Sequence, residues 1–348
     1  MLEWVRLVDF KSHRDTTVEL GRFTVLVGPN ACGKTSVLDG LELLAAAARV
    51  PLIAAAGGSA EQVSQLIRQG AERFKLETEV AKQDFAVEVP LVAFRDPSRA
   101  VMQRRYAGRS TPFNIHSVLP LEGALLDALS VRVLRPSAAH MAAPSRTWSL
   151  PPTMASTGQG LASLLAHLKL SQEETFHAIV ADFRRIIPRA TGVRIDRDLA
   201  NNQVQEVILV DFKDARGIRA EQVSSGTILV LGILTAVHAD PKPRVLLLDD
   251  VEQGLHPRAQ VELVTLLKRV MDERPELQIV ATTHSPYFLD EIAPEDVRVM
   301  ALDPDGVPRV ARLSDHPDAQ HALQALTTGE FFSAESEAWV LSLEPKHA

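Results

Sequence analysis

The sequence predicts an α/β fold, a mixed sheet covered by helices with a helical and irregular segment inserted into it, on three observations. The apolar run Phe23–Val27 ends in a glycine loop and passes directly into a helical pattern over residues 34–49. From Arg244 onward, short apolar runs (VLLLD, LQIVATT, VRVMALD) alternate with helical stretches, the rhythm of parallel strands covered on both faces. Between these regions, residues 112–152 turn proline-rich and irregular.

The elements follow in order. Residues 4–10 and 16–20 read as strands, and residues 72–107 contain two or three more strand-like runs, RFKLETEVA and FAVEVPLVAF among them. Helices are expected at about 158–169 and 171–187, then a strand at 204–212, a glycine-containing turn and a helix at 227–238. The chain closes on strand, helix 257–273, strand, helix and strand.

The 348 residues carry a formal net charge of −7, and 46% are hydrophobic against 23% charged. That composition fills a sizeable core and excludes wholesale disorder. The length fits two domains or one domain with an insertion. The longest apolar stretch, beginning at Leu41, is interrupted by Glu42, Arg49 and Pro51, short of the ~20 residues a membrane span needs. Its opening residues lack a secretory pattern, and one cysteine, Cys32, allows no internal disulfide. A cytoplasmic protein without membrane contact is therefore expected. The acidic balance argues against a general nucleic-acid coat but leaves room for a local basic groove.

The strongest chemical signal is Gly28-Pro29-Asn30-Ala31-Cys32-Gly33-Lys34-Thr35-Ser36, which matches G-x-x-x-x-G-K-[ST] between a strand and a helix. Gly28 and Gly33 let backbone N–H groups wrap phosphate, and the helix N-terminus adds partial positive charge. Lys34 then bridges β- and γ-phosphates, and the Thr35 hydroxyl is offered to Mg²⁺. Cys32 in this loop is open to two readings, a thiol activated by the helix dipole or a small neutral filler.

A second signal is the buried-strand pattern VLLL followed by Asp249 and Asp250. Carboxylates at the C-terminal edge of such a strand stand where ligands bind in open α/β sheets. Asp249 would hold Mg²⁺, and Asp250 would polarise the attacking water. Ser224-Ser225-Gly226 precedes an apolar helix and offers a second phosphate-binding edge, 25 residues before Asp249. His284 ends a strand 35 residues after Asp249, placed to contact the γ-phosphate or that water.

In this order GPNACGKT, VSSGT, LLLDDVEQGLH and TTHSP resemble the ABC-type ATPases, specifically the SMC/RecF/OLD-like branch of P-loop NTPases. The opening VRLVDFKSHRDTTVEL also resembles the heads of double-strand-break-repair ATPases, and GEFFSAESEAW a C-terminal mark of standalone OLD-like and anti-phage ATPases. The resemblance implies that residues 28–36 are the Walker A loop, Asp249 the Walker B acid, residues 223–227 the signature, residues 253–256 the D-loop and His284 the switch histidine. It also places Lys11, Ser12, His13 and Arg14 where such heads approach nucleotide. ATP and Mg²⁺ are the implied cofactors. Two such chains would sandwich ATP, the signature of each completing the site of the other.

The chain departs from the pattern at Asp250, where the family usually carries a glutamate one methylene longer; slow turnover is expected, with Glu252 able to compensate. The Q-loop glutamine stays open between Gln103 and Gln159. Only 189 residues separate Lys34 from Ser224, and nine prolines fall between Pro90 and Pro188, so a long coiled coil is excluded. The expectation is one ABC-type head over residues 1–348, with a lid at about 96–190, a lobe at 221–312 carrying signature, Walker B acid and histidine, and a helical tail at 313–348. The 64 residues after His284 are too few for an OLD-type nuclease domain, so chemistry is expected on an effector protein encoded nearby.

Arg95, Arg99, Arg104, Arg105 and Arg109 cluster around one acid, Asp96, and read either as a solvated strand face or as DNA-phosphate contacts. A looser group comprises Arg184, Arg185, Arg189, Arg194 and Arg197. Phe331, Phe332, Trp339 and Val340 read as core or as a docking helix. Two functions are thus carried forward: an ATP-hydrolysing head in DNA repair or anti-phage defence, and a slow or non-hydrolysing switch that scaffolds a toxin or nuclease. A transporter subunit fits poorly.

Overall fold

The computed structural model of the protein describes every residue except 81, 91–101, 107–108, 114–122, 147–150, 201, 336 and 344–348. Its strands, in chain order, are β1 (Leu2–Phe10), β2 (His13–Glu19), β3 (Phe23–Val27), β4 (Arg73–Val80), β5 (Gln83–Pro90), β6 (Met102–Tyr106), β7 (Arg109–Phe113), β8 (Val131–Leu134), β9 (Ala190–Ala200), β10 (Gln203–Phe212), β11 (Ile218–Arg219), β12 (Val245–Leu248), β13 (Gln278–Thr282), β14 (Val297–Leu302) and β15 (Pro308–Arg312). They belong to two compact units, residues 1–131 with 276–348, and residues 132–275.

In the first unit an antiparallel sheet runs in the order β2-β1-β4-β5-β6-β7. Phe10 of β1 meets Phe74 of β4 edge-on, with ring centroids 5.5 Å apart. A second sheet pairs β3 in parallel with β13 and β14, and β15 closes it antiparallel. All five residues of β3 and of β13 are buried, as strands covered on both faces require. Gln278, fully buried, accepts from the Leu2 N–H (2.9 Å) and donates to the carbonyls of Leu2 (2.8 Å) and Gly21 (2.9 Å). One satisfied amide thus ties the start of β1 to the parallel sheet.

The mixed, helix-covered sheet is the α/β architecture that the sequence predicts. Within the stretch expected as lid, however, residues 102–106 and 109–113 are strands that carry the antiparallel sheet outward from β5. β6 is the third strand within 72–107, whereas RSTPF of β7 lacks the alternation that marks a strand and is revealed by its pairing with β6. The apolar C-terminal residues pack inward: Phe331 and Val340 are buried, and His316 stacks edge-on against both Phe331 and Trp339. Phe331 and Val340 are thus core residues, while Phe332 and Trp339 are part-exposed.

In the second unit β9, β10 and β11 form an antiparallel sheet, and β12 lies beside β8 with all four of its residues buried. The helix Ser225–His238 buries every residue from Thr227 to Val237. Its C-terminal carbonyls are capped by arginines: Arg132 donates to Ala236 (2.7 Å) and Ala239 (3.0 Å), and Arg274 to Val237 (3.1 Å). His238 bonds the buried Asp182 at 3.0 Å, and Arg269 reaches the other oxygen at 2.5 Å. Burial alone would raise the Asp182 pKa, but these bonds hold it below the usual carboxylate range. The helix is therefore fastened at its far end, and its N-terminus is the end left exposed at Ser224 and Ser225.

Candidate nucleotide site

The glycine loop leaves the fully buried β3 and enters the helix Lys34–Ala47. Gly28 has φ 144°, Ala31 φ 64° and Gly33 φ 96°, so the loop turns through left-handed conformations that open its backbone N–H groups. A Cβ on Gly28 would lie 2.3 Å from the Met300 carbonyl oxygen of β14. Glycine there is a packing requirement. Lys34 is 6% exposed, and its Nζ donates to the carbonyls of Gly28 and Pro29 at 2.9 Å each, so the ammonium is folded across the loop. Asn30, Ala31 and Thr35 are exposed on its outer side, and Ser36 is half-buried.

Cys32 is wholly buried 3.9 Å from the Lys34 ammonium, and burial, the largest influence on it, pushes the thiol pKa up. A protonated, inaccessible thiol fills space. The activated-thiol reading is corrected, because desolvation outweighs the nearby positive charge.

The turn between β1 and β2 braces the loop from behind. His13 is fully buried, its Nε2 lies 3.2 Å from the Gly33 carbonyl, and a Cβ on Gly33 would meet the ring at 2.7 Å. Lys11, at φ 51°, pairs with Asp39 of the helix that follows the loop, and the Ser12 hydroxyl is buried against Gly33. Arg14 is exposed on β2. His13 thus supports the loop from its protein side, whereas the resemblance set it among the nucleotide contacts.

Desolvation, partly offset by the Gly33 bond, lowers the His13 pKa to about 4. Because the unfolded chain takes up this proton near pH 6.5 and the native chain only near 4, the stabilisation is complete above pH 6.5 and is lost as pH falls towards 4. The loss amounts to roughly 3 kcal/mol. Thermal denaturation between pH 7 and 4.5 should show this slope in the wild type and not in His13→Gln; equal slopes would refute it.

His284 follows β13 and is exposed, and the N–H of Thr283 bonds the Leu26 carbonyl of β3 at 3.2 Å. The parallel register of β3 and β13 therefore delivers His284 at the same sheet end as Gly28. Sequence spacing made this placement legible.

In the second unit Asp249 ends β12, 8% exposed, its N–H bonded to the Leu134 carbonyl (2.9 Å) and its carboxylate 3.8 Å from Arg135. Asp250 follows at φ 47°. That left-handed kink, tolerated by aspartate better than by most residues, turns the chain out of the strand. Glu252 is half-buried in the next turn, where its carbonyl accepts from Leu255 N–H (2.9 Å). Ser224 caps its helix: the hydroxyl accepts from the Thr227 N–H (3.3 Å) and lies 2.7 Å from the Thr227 hydroxyl. A Cβ on Gly226 would approach the Gly254 carbonyl to 2.6 Å, so residues 224–226 and 253–256 are in contact. His256 in turn caps the helix Pro257–Glu273. Met300, Asp39 and Arg135 were not legible, since each acts through a backbone carbonyl or one long-range contact.

No group of three or more histidine, cysteine or acidic residues gathers as a metal site among the described residues. No helix among the described residues is long and apolar enough to cross a membrane. Of the glutamine candidates, Gln103 lies on β6 and Gln159 is exposed in a turn where its carbonyl accepts from Ala155 N–H (2.9 Å).

A family model described as "AAA domain, putative AbiEii toxin, Type IV TA system" matches residues 128–290, and one described as "AAA ATPase domain" matches residues 1–89. The chain is 31% identical over 86 residues to the Septu protein PtuA of Bacillus thuringiensis, covering 25% of this chain and 20% of that protein. It is 27% identical over 150 residues to the Septu protein PtuA of Bacillus mycoides (strain KBAB4), covering 40% of this chain and 20% of that one. Each match thus spans about a fifth of the relative's length. Among solved structures, an Smc head bound to the C-winged helix domain of ScpA superposes with a TM-score of 0.61 at 17% identity, covering 89% of this chain and 96% of that one.

Proposed function

We propose that this chain, matched by AAA ATPase family models and similar in fold to an Smc head, is an ABC-type ATPase of the SMC/RecF/OLD-like branch, and that two copies close on ATP and Mg²⁺, hydrolyse it slowly, and drive a partner effector in anti-phage defence or DNA repair. One observation carries the reading: the chain presents two exposed helix N-termini suited to phosphate. One follows the left-handed glycine loop at Lys34, and the other is capped by Ser224 and braced through Gly226 on Gly254. Similarity to the Septu protein PtuA supports the defence context.

ATP supplies the cleavable phosphoanhydride, and Mg²⁺ draws charge from its oxygens. The residues that would hold them are the N–H groups of residues 30–36, Lys34 Nζ, the Thr35 hydroxyl and the Asp249 carboxylate. Asp250, with Glu252 in reserve, orients the attacking water, and His284 steadies the γ-phosphate end. Ser224, Ser225 and Gly226 serve the phosphate of the facing copy. ATP then acts as the interface glue, because it binds the closed pair better than the single chain.

Light scattering after size exclusion tests this. With ATP and Mg²⁺ the mass should double, while Lys34→Ala and Ser224→Arg should remain monomeric. A wild type of unchanged mass at saturating ATP would sink the sandwich. The alternative of a slow or non-hydrolysing switch that scaffolds a toxin or nuclease is favoured by one observation, the shorter Asp250 at a left-handed kink.

DNA contact is a further part of the proposal. Arg95 and Arg99 lie outside the described residues. In the register of β6, Arg104 pairs with Val87 and Arg105 with Ala86, consecutive positions that belong to opposite sheet faces. The second arginine group is largely committed to acids: Arg189 to Asp214, Arg194 to Asp211 and Arg185 to Asp182. Changing Arg104 and Arg105 together to glutamate should abolish ATP-stimulated DNA retention, and the single changes should differ. Unchanged retention in the double variant would end the idea.

A further inference from the structure

A cavity of about 580 Å³ opens in the second unit beside the Ser224 helix. Its volume falls in the range of small-molecule sites. The floor is apolar, built from Ile186, Ile187, Phe212, Ile218, Val223 and Ala259. The rim carries Arg185, Arg189 and Arg258 against Asp214 and Glu262. Arg189 is engaged by Asp214 at 2.5 Å, and Arg185 lies 3.5 Å from Asp182 yet keeps 62% of its side chain exposed. An adjoining hollow of about 380 Å³ shares Arg185 and Pro188 and adds Arg184 and Lys213, with no acid in its lining. Cations therefore outnumber acids around an apolar floor, on a chain whose net charge is −7.

The cavity also touches two helix starts. Ser224 and His256, which cap the helices Ser225–His238 and Pro257–Glu273, both line it. Both helix N-termini add partial positive charge at the mouth. An apolar body fits the floor, and an acidic group fits the mouth.

We propose that this cavity is a regulatory site for a small amphipathic anion, an apolar ring system bearing one acidic group. Bound there, the ligand engages Ser224 and His256 on their own chain and keeps them from a facing copy. The effect on association rests on the proposed ATP sandwich; the binding itself does not.

The probe is 8-anilinonaphthalene-1-sulfonate, titrated without nucleotide and followed by fluorescence and calorimetry. The expected result is saturable binding at one site per chain, at least tenfold tighter than its uncharged analogue N-phenyl-1-naphthylamine. Arg258→Glu, which reverses a rim charge, and Ala259→Phe, which fills the floor, should each weaken it at least tenfold, with melting temperature recorded for both. Arg258 is exposed, so its variant keeps the test valid where the filled cavity fails to fold. Binding at many sites, equal affinity for the uncharged analogue, or wild-type affinity in Arg258→Glu would overturn the site. With the site established, saturating probe should lower the dimer fraction formed with ATP. A dimer fraction unmoved by the probe would overturn the regulatory role and leave the binding site standing.

Discussion

Replacing Asp250 with asparagine is expected to lower ATP turnover by about 10²–10⁴-fold, the range that loss of a positioned acid–base group gives. Stability should change little. Asp250 sits at φ 47°, where asparagine is nearly as comfortable as aspartate, whereas alanine would add backbone strain of about 1–2 kcal/mol and blur the kinetic result. Steady-state phosphate release and thermal denaturation, run in parallel, separate the two effects. A variant within threefold of wild type would remove Asp250 from the reaction and turn attention to Glu252→Gln. A wild type without measurable turnover would favour the switch.

The second large effect is expected from Gly28→Ala. The new methyl group would lie 2.3 Å from the Met300 carbonyl oxygen, at a backbone φ of 144° that side chains rarely adopt. The loop must shift off β14, and strain of roughly 1–3 kcal/mol follows. Nucleotide affinity should fall at least a hundredfold, since the N–H groups lose their convergence on one phosphate position. Gly306→Ala is the control: it also has positive φ, 73°, but nothing lies within 4 Å of the added Cβ. It should carry the conformational strain alone and bind nucleotide normally. Equal losses of affinity in both variants would show that stability, not loop geometry, is being measured.

Much of this was legible because the relevant signals are local. The five apolar residues of β3, the glycines and Lys34 after them, and the helix beyond lie within one short stretch, and periodicity reads such stretches well. The same holds for the buried run of β12 with Asp249 and Asp250 at its end, and for Ser224 before an apolar helix. The α/β class followed from those runs. The strand β7 was not legible, because a polar sequence becomes a strand only when an existing edge supplies its partners. The behaviour of His13 was not legible either. A histidine in a turn reads as a surface residue, and only its complete burial behind Gly33 makes it a neutral brace.

The sequence by itself determined the groups on offer: a glycine loop with a lysine, paired carboxylates, a serine before an apolar helix and a histidine, in an order that resembles a family of ATPases. It also limited the insertion between Lys34 and Ser224 by its length and its prolines. Tertiary structure alone decided which of those residues reach solvent and which hold others in place. Cys32 became an inert filler, His13 a support, Gly28 and Gly226 close-packing positions, and Phe331 a core residue. The reason is physical. Residue type fixes what a group can do, but desolvation, a carbonyl 2.3 Å from an absent methyl, and the partner at the other end of a hydrogen bond are set by chain segments far apart in sequence.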